Sequence, residues 1–510
     1  MSAQSRSLPC LLAVAVCLAV TTPSVVAIEV GTQKQLFVDD YVVAEKQNVT
    51  RELGEVEKHG VVVKPSVPTD FHPTDPFAGG LPKASPGFGY RLAVVRDDKQ
   101  EKFQMWYRSC GERWTSYAES RDGIGWIKPK VSRDGAGNLI TYRGRTGNTF
   151  YETTVTVDPT VSWGHPEKYK AAFNPGNTRC AIAHSSDGIR WTGYNGGQSV
   201  TGRAADTQNQ ILWDPIGRRY LLLTRTDLGA QGGIGEVRAT RIMAHSENND
   251  LLKHPTAWKT LATIRLDQVK HKKTPPGVRA LQMEAMNVWP YENVYFGLMH
   301  VLKVGDVTGR PRRATERDLQ VRHETDAIDT YLATSRDAVN FDLHWVHQNR
   351  PLVPRGPDGS FDKDMLHIAS EIVTHNDEHW IYYGGFDHRH HIGGGGGNIG
   401  LAKLKLDRFI GLAAGEETGT VVTKPFELQG KTLLLNVDAG SGHVKVEILD
   451  EEGEPIPGFA GDDAPAREGV DDLRFQPSWN QHTDLSALTG QLVRLRFQLD
   501  DARLYAFRVR

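Results

Sequence analysis

The chain has 510 residues, with 60 Lys and Arg against 62 Asp and Glu and a formal net charge of −2. That balance, with no basic run, lacks the electrostatic footprint of a nucleic-acid binder. Only 4 cysteines in this length exclude a disulfide scaffold, so stability rests on ordinary hydrophobic cores in two or more domains.

The first 27 residues read as a secretory signal peptide. Arg6 supplies the positive charge, Leu11 to Val20 the apolar run, and Val25-Val26-Ala27 a small-residue ending. The run is shorter than the ~20 residues a membrane span needs. No later segment is long and apolar enough either. The expected product is secreted or periplasmic, with no membrane partner after cleavage, and it retains only Cys110 and Cys180.

Beyond the leader, one pattern recurs: Ser-Arg-Asp-Gly-Ile-Gly-Trp from Ser120, Ser-Ser-Asp-Gly-Ile-Arg-Trp from Ser185, and Ser-Arg-Asp-Ala-Val-Asn-Phe from Ser335, with a degenerate relative at Ser246. Repetition on this scale implies a solenoid or propeller. Each copy follows a tight turn (LWDPIGRRY), an apolar β-rich run (KFQMWYRS, RRYLLLTR) and a short strand leading into the Asp-Gly turn. Four antiparallel strands per repeat make a propeller blade. A fifth unit runs through HIASEIVTHNDEHWIYYGGF and NIGLAKLKL. The fold class is therefore all-β: a five-bladed β-propeller over residues 28–415. The recurring Asp122 and Asp187 read as hairpin residues rather than catalytic ones, because Asp followed by Gly is turn chemistry. From residue 416 to 510, alternating short strands with Gly and Asp turns read as a C-terminal β-sandwich.

The first strand of each blade lines a propeller's channel, and here those strands are unusually polar. TFYETTVTVDP supplies Glu152, AADTQNQILWDP Asp206 and Asn209, LQMEAMNVWP Glu284 and Asn287, and FDKDMLHIASEI Asp364 and His367. Several carboxylates aimed at one cleft suit glycoside hydrolysis, where one carboxyl donates a proton and the other attacks or activates water. Taken singly, each reads equally well as a strand-end residue paired with Arg.

The stretches LFVDDYVV (36–43), MNVWPYENVYFGL (286–298), GPDGSFDKDM (356–365), the Ser-x-Asp-Gly turns and the ending RLRFQLDDARLYAFRV together resemble exported bacterial proteins described as glycoside hydrolase family 32-like, within the five-bladed propeller glycosidases. The resemblance spans nearly the whole mature chain. It implies three cooperating carboxyl groups: an acid, a base or nucleophile, and one gripping sugar hydroxyls. By blade order it puts Glu284 as acid and Asp206 as base or gripping group, with Asp40, Glu152 and Asp364 behind them. The Asn-Asp-Pro-Asn, Arg-Asp-Pro and Glu-Cys stretches of fructan-cleaving members are missing, so fructan specificity is not implied.

Asn209, Asn287, Arg203, His300, His367, His388, Arg389 and Trp289 are the expected substrate-binding residues, and Trp106, Trp114 and Tyr291 are further aromatics to weigh against plain packing. The run FDHRHHIGGGGG (386–397) falls between the second and third strands of the last blade, beside the channel mouth. A strand follows it, which argues against a phosphate cradle. His388 and His390 are possible metal ligands, but the spacing matches no standard zinc pattern, and no metal or cofactor is expected. A loop offering donors to sugar is the preferred reading. The partner is thus a carbohydrate, from plants or algae. Alternatives are a polysaccharide lyase using Arg with His or Tyr on a uronate, or a non-catalytic glycan-binding propeller.

Overall fold

Turn chemistry sets the repeat. In the copy at Ser185, the Asp187 carboxylate accepts from the backbone N–H of Ile189 and Arg190, both at 2.8 Å, while Gly188 N–H donates to Ser185 Oγ at 2.9 Å. Gly188 takes φ +74°, and an added Cβ would lie 2.6 Å from the Trp106 ring. The freed Gly188 carbonyl accepts from Trp191 Nε1 of its own turn at 2.9 Å and from Trp106 Nε1 of the preceding blade at 2.6 Å. The copy at Ser120 does the same, with Gly123 O taking Trp126 Nε1 and the Tyr382 hydroxyl. The Asp-Gly turn is therefore a blade-to-blade joint. In the third copy Ala338 stands where the others have Gly and adopts φ 61°, a conformation costing an L-residue roughly 1–2 kcal/mol.

The computed structural model describes residues 27–71, 88–109, 114–133, 135, 137–143, 150–176, 178–202, 207–228, 237–266, 278–305, 326–390 and 397–510. Residues 1–26, within the stretch that reads as a signal peptide, and Cys110 lie outside them. Cys180 is free and buried. No helix among the described residues is long and apolar enough to cross a membrane.

Five antiparallel units follow one another along the chain. Their inner strands are Leu92–Asp97, Tyr151–Val157, Gln210–Asp214, Val278–Tyr291 and Met365–Ile368. The fifth blade takes its outermost strand from the beginning of the chain, since Glu57–Val63 pairs antiparallel with Asn398–Lys405. Apolar clusters seal every seam: Trp106, Phe173 and Trp191 between the first and second blades, Ile182 and Leu222 between the second and third, Leu223 and Val288 between the third and fourth, and Phe296 and Ile381 between the fourth and fifth. Phe88, Phe103, Tyr382 and Leu401 join the fifth blade back to the first. The ring is closed.

The C-terminal strands Leu433–Leu449, Leu492–Asp500 and Ala502–Val509 form the heart of a ten-stranded β unit. The N-terminal strands Gln35–Leu36, Val43–Gln47 and Thr50–Leu53 belong to it as well. The chain therefore enters through the sandwich before building the propeller, an arrangement the linear boundary at 415/416 does not convey.

Candidate functional site

The channel's charged centre is built around Arg91, which immediately precedes the first inner strand and is 1% exposed. Its Nε donates to Glu152 Oε2 at 2.7 Å, its Nη2 to Glu284 Oε1 at 3.0 Å, and its Nη1 to His367 Nδ1 at 2.8 Å. One guanidinium thus gathers the second, fourth and fifth blades. Arg108 also binds Glu152, and Arg225, at 3.1 Å, and Arg238 bind Glu284.

Both glutamates occupy irregularities in their strands. Glu152 has φ 54° and lies where the pairing with Tyr169–Asn174 slips; Glu284 lies where Val278–Tyr291 slips against Val294–Gly305, between Met283 and Ala285. An extra residue in one strand re-aims the side chain at that point. Here it turns two carboxylates from non-adjacent blades toward the same arginine.

Electrostatics then bears on the state of Glu284. Burial alone would raise the Glu284 carboxyl, but the charges of Arg225, Arg238, His390 and Arg91 outweigh it and hold the group well below the usual carboxylate range. A carboxylate held low by three guanidinium groups suits an anionic role better than the acid role that the resemblance implies. His367 is held neutral by burial and by Arg91 and His300. His300 is likewise pushed down to about 3, by burial and then Arg91. The Tyr90 ring lies 3.9 Å from the His367 ring and 4.2 Å from the Arg91 guanidinium.

Below this layer, side-chain amides cross the axis. Gln208 Nε2 reaches Leu92 O of the first blade at 3.4 Å, and Gln210 Nε2 reaches both Val288 O and Ser370 O, of the fourth and fifth. Asn209 and Asn287 are fully buried beside them. Among the described residues, neither amide atom of Asn209 has a hydrogen-bond partner, nor has Asn287 Oδ1, His300 Nε2 or His367 Nε2. Further along, Glu371 is half-buried and bonded to Thr156, and burial raises its carboxyl to about 7. Thr156 lies four residues beyond Glu152 on one strand, about 13 Å at 3.3 Å per residue. The Glu371 carboxyl is therefore set apart from the Arg91 layer along the channel.

Glu152, Glu284, His300 and His367 are thus brought together, with Asn209 and Asn287 on the strands beneath. Asp206 and Arg203 lie outside the described residues. Asp40 is a correction: it is exposed, and its carboxylate pairs with Lys46 at 2.8 Å and Arg51 at 2.7 Å along the sandwich strands, away from the channel. Asp364 immediately precedes the fifth inner strand and holds Lys363 and Arg389 at 2.7 and 3.2 Å, so Arg389 is tied to a carboxylate rather than free for sugar. His388 Nδ1 faces Arg389 O at 3.1 Å; His390 is buried near Tyr90. His391 and the glycines up to 396 lie outside the described residues. No group of three or more His, Cys, Asp or Glu among the described residues is arranged to hold a metal ion. Trp289 is another correction, because it stacks on Tyr291 at 4.7 Å within the core between the last two blades. Trp106 is equally a packing residue.

Arg91, Arg108, Arg225 and Arg238 escaped the sequence reading. The one available signal is an arginine heading an apolar inner strand, in GYRLAVV (89–95).

No family model matches the chain, and no curated protein matches it. Among solved structures it is similar to a thermostable family-43 glycoside hydrolase, at 12% identity and TM-score 0.39, over 62% of this chain and 89% of that one. It is similar to the catalytic domain of a Coprinopsis cinerea GH62 α-L-arabinofuranosidase, at 12% identity and TM-score 0.40, over 69% and 97%. An exo-inulinase from Aspergillus awamori matches at 11% identity and TM-score 0.35, over 84% and 97%.

Proposed function

We propose that the protein is a glycoside hydrolase acting on a poly- or oligosaccharide at the head of the propeller axis. The observation that carries this reading is the convergence of two buried carboxylates, Glu152 and Glu284, from different blades on one guanidinium. Glycosidic cleavage passes through an oxocarbenium-like transition state, which a fixed carboxylate stabilises by charge or by covalent attack. Glu284, held ionised, suits that anionic role. The buried polar atoms of Asn209, Asn287, His300 and His367 supply the sugar-facing surroundings.

A lyase needs a base that takes a proton near neutral pH. With His300 pushed down to about 3 and His367 also lowered, neither imidazole fits that task. Incubation with neutral and acidic polysaccharides separates the readings. Hydrolysis yields reducing ends without ultraviolet-absorbing unsaturated sugars, a lyase yields both, and a binder yields neither. Only the first outcome agrees with the proposal.

A further inference from the structure

On the fourth and fifth blades, two carboxylates each hold two cations. Asp329, on the fourth-blade strand Ala327–Ser335, pairs with Lys303 and, at 2.6 Å, with Arg355. Asp364 pairs with Lys363 and Arg389. Arg355 joins the two sets, because its Nη1 donates to Lys363 O at 2.8 Å. The carboxylates lie beneath, with side chains 4% and 6% exposed, while Arg355, Lys363 and Arg389 stand out at 29, 30 and 33%. Each set therefore turns a surplus positive charge outward. Asp364 lies three residues before His367 of the Arg91 layer, about 10 Å of extended chain at 3.3 Å per residue.

The Asp329 set opens into a cleft of about 280 Å³ lined by Lys303, Asp329, Asn349, Pro351, Arg355 and Gly356. One wall is fastened to the blade, with Leu352 N–H donating to Thr330 O at 2.8 Å. Asn349 turns one atom of its amide to both Lys303 Nζ, at 2.9 Å, and the Tyr331 hydroxyl, at 2.8 Å. An ammonium only donates, so that atom is the oxygen, and Nδ2 with its two N–H groups points elsewhere. Arg355 uses Nε for Asp329 and Nη1 for Lys363 O, which leaves it further N–H donors in the fork.

We propose that this cleft binds an oxyanion carried by a sugar, a uronate carboxylate or a sulfate ester, away from the bond that is cleaved. The inference deepens the glycosidase reading above and rests on it. Lys303, Asn349 and Arg355 bring donors to the cleft, and its one carboxylate is already shared by two cations. A carboxylate or sulfate only accepts, and the planar guanidinium fork matches its paired oxygens. A sugar ammonium would meet donors with donors. Lys363 and Arg389 stay on Asp364 and act through their charge, which extends the attraction for an anionic glycan toward the channel.

Asn349→Asp is the sharpest test. It keeps the shape and an oxygen for Lys303 and Tyr331, but replaces the two N–H donors with a second carboxylate oxygen. Arg355→Gln removes the fork and keeps a donor for Asp329. Binding to the full chain is measured by isothermal titration calorimetry with D-galacturonate, D-galactose 6-sulfate and D-galactose, none of which has a glycosidic bond to cleave. At least one acidic sugar should bind about tenfold tighter than galactose or better. Both variants should erase that preference, Asn349→Asp while melting no lower than wild type. A response to galacturonate alone identifies a uronate site, to the sulfate alone a sulfated glycan, and to both a site for either oxyanion. A preference for neither acid, or one that survives either variant, would overturn the proposal. If neutral oligosaccharides are cleaved and no acidic sugar is preferred, the cleft alone falls. If the acidic preference is seen and lost in the variants but no glycoside is cleaved, the cleft stands and the hydrolase reading falls.

Discussion

Replacing Arg91 by Met removes the guanidinium that joins three blades and leaves an apolar side chain of similar length. Taking one member from a buried ion pair costs about 3–5 kcal/mol, because the remaining charge is stranded. In this site Glu152 keeps Arg108, and Glu284 keeps Arg225 and Arg238, so the lower end, about 3 kcal/mol, applies. With an unfolding entropy of about 2.1 cal/mol/K per residue, a propeller of this length should lose roughly 4 °C of melting temperature. Differential scanning calorimetry at neutral pH reads this directly, and the shift should fall on the propeller transition and spare the sandwich. Because the group is buried, about 1 M salt should barely reduce the difference. Arg91→Lys, which keeps the charge and loses the planar fork, should fall between. An unchanged propeller transition, or a shift that salt abolishes, would refute the account of Arg91 as the hub.

Glu371 gives a pH signature. Its folded carboxyl is raised to about 7 from 4.5 by burial, so the folded state binds more protons than the unfolded one between those values. Stability should therefore fall as pH rises through that window and level off above it, and Glu371→Gln should remove the decline in a pH series of melts. Asp187→Ala should cost about 1–2 kcal/mol through lost backbone hydrogen bonds, with specific activity per folded molecule unchanged; activity lost at an unchanged melting temperature would reverse the reading of the turn as a joint. Asp40→Ala should leave turnover untouched in the same assay.

The sequence makes the propeller legible because its repeat is local chemistry. Ser, Asp and Gly sit at fixed offsets, so the carboxylate meets the backbone N–H groups two and three residues ahead. Glu152 and Glu284 are legible in kind, as carboxylates on inner strands. Their shared direction is not, since it depends on strand irregularities that residue types do not signal. Nor does spacing reveal that Arg91 bonds Glu152, Glu284 and His367, whose partners lie 61, 193 and 276 positions away. Asp40 and Trp289 mislead for a common reason. An acidic pair or a tryptophan beside a plausible motif looks the same whether it faces the channel, the sandwich strands or a seam between blades. Likewise the strand Glu57–Val63, which completes the last blade, lies over 300 residues before the strand it pairs with.

If Glu284 acts as a fixed anion in glycoside cleavage, the turnover of Glu284→Gln beside wild type, on whichever polysaccharide the wild type degrades, reads it out. Wild type should release reducing ends without ultraviolet-absorbing products, and the variant, still folded by circular dichroism, should be slower by about a thousandfold or more. A Glu284→Gln enzyme within about tenfold of wild type, or unsaturated sugars among the wild-type products, would contradict it.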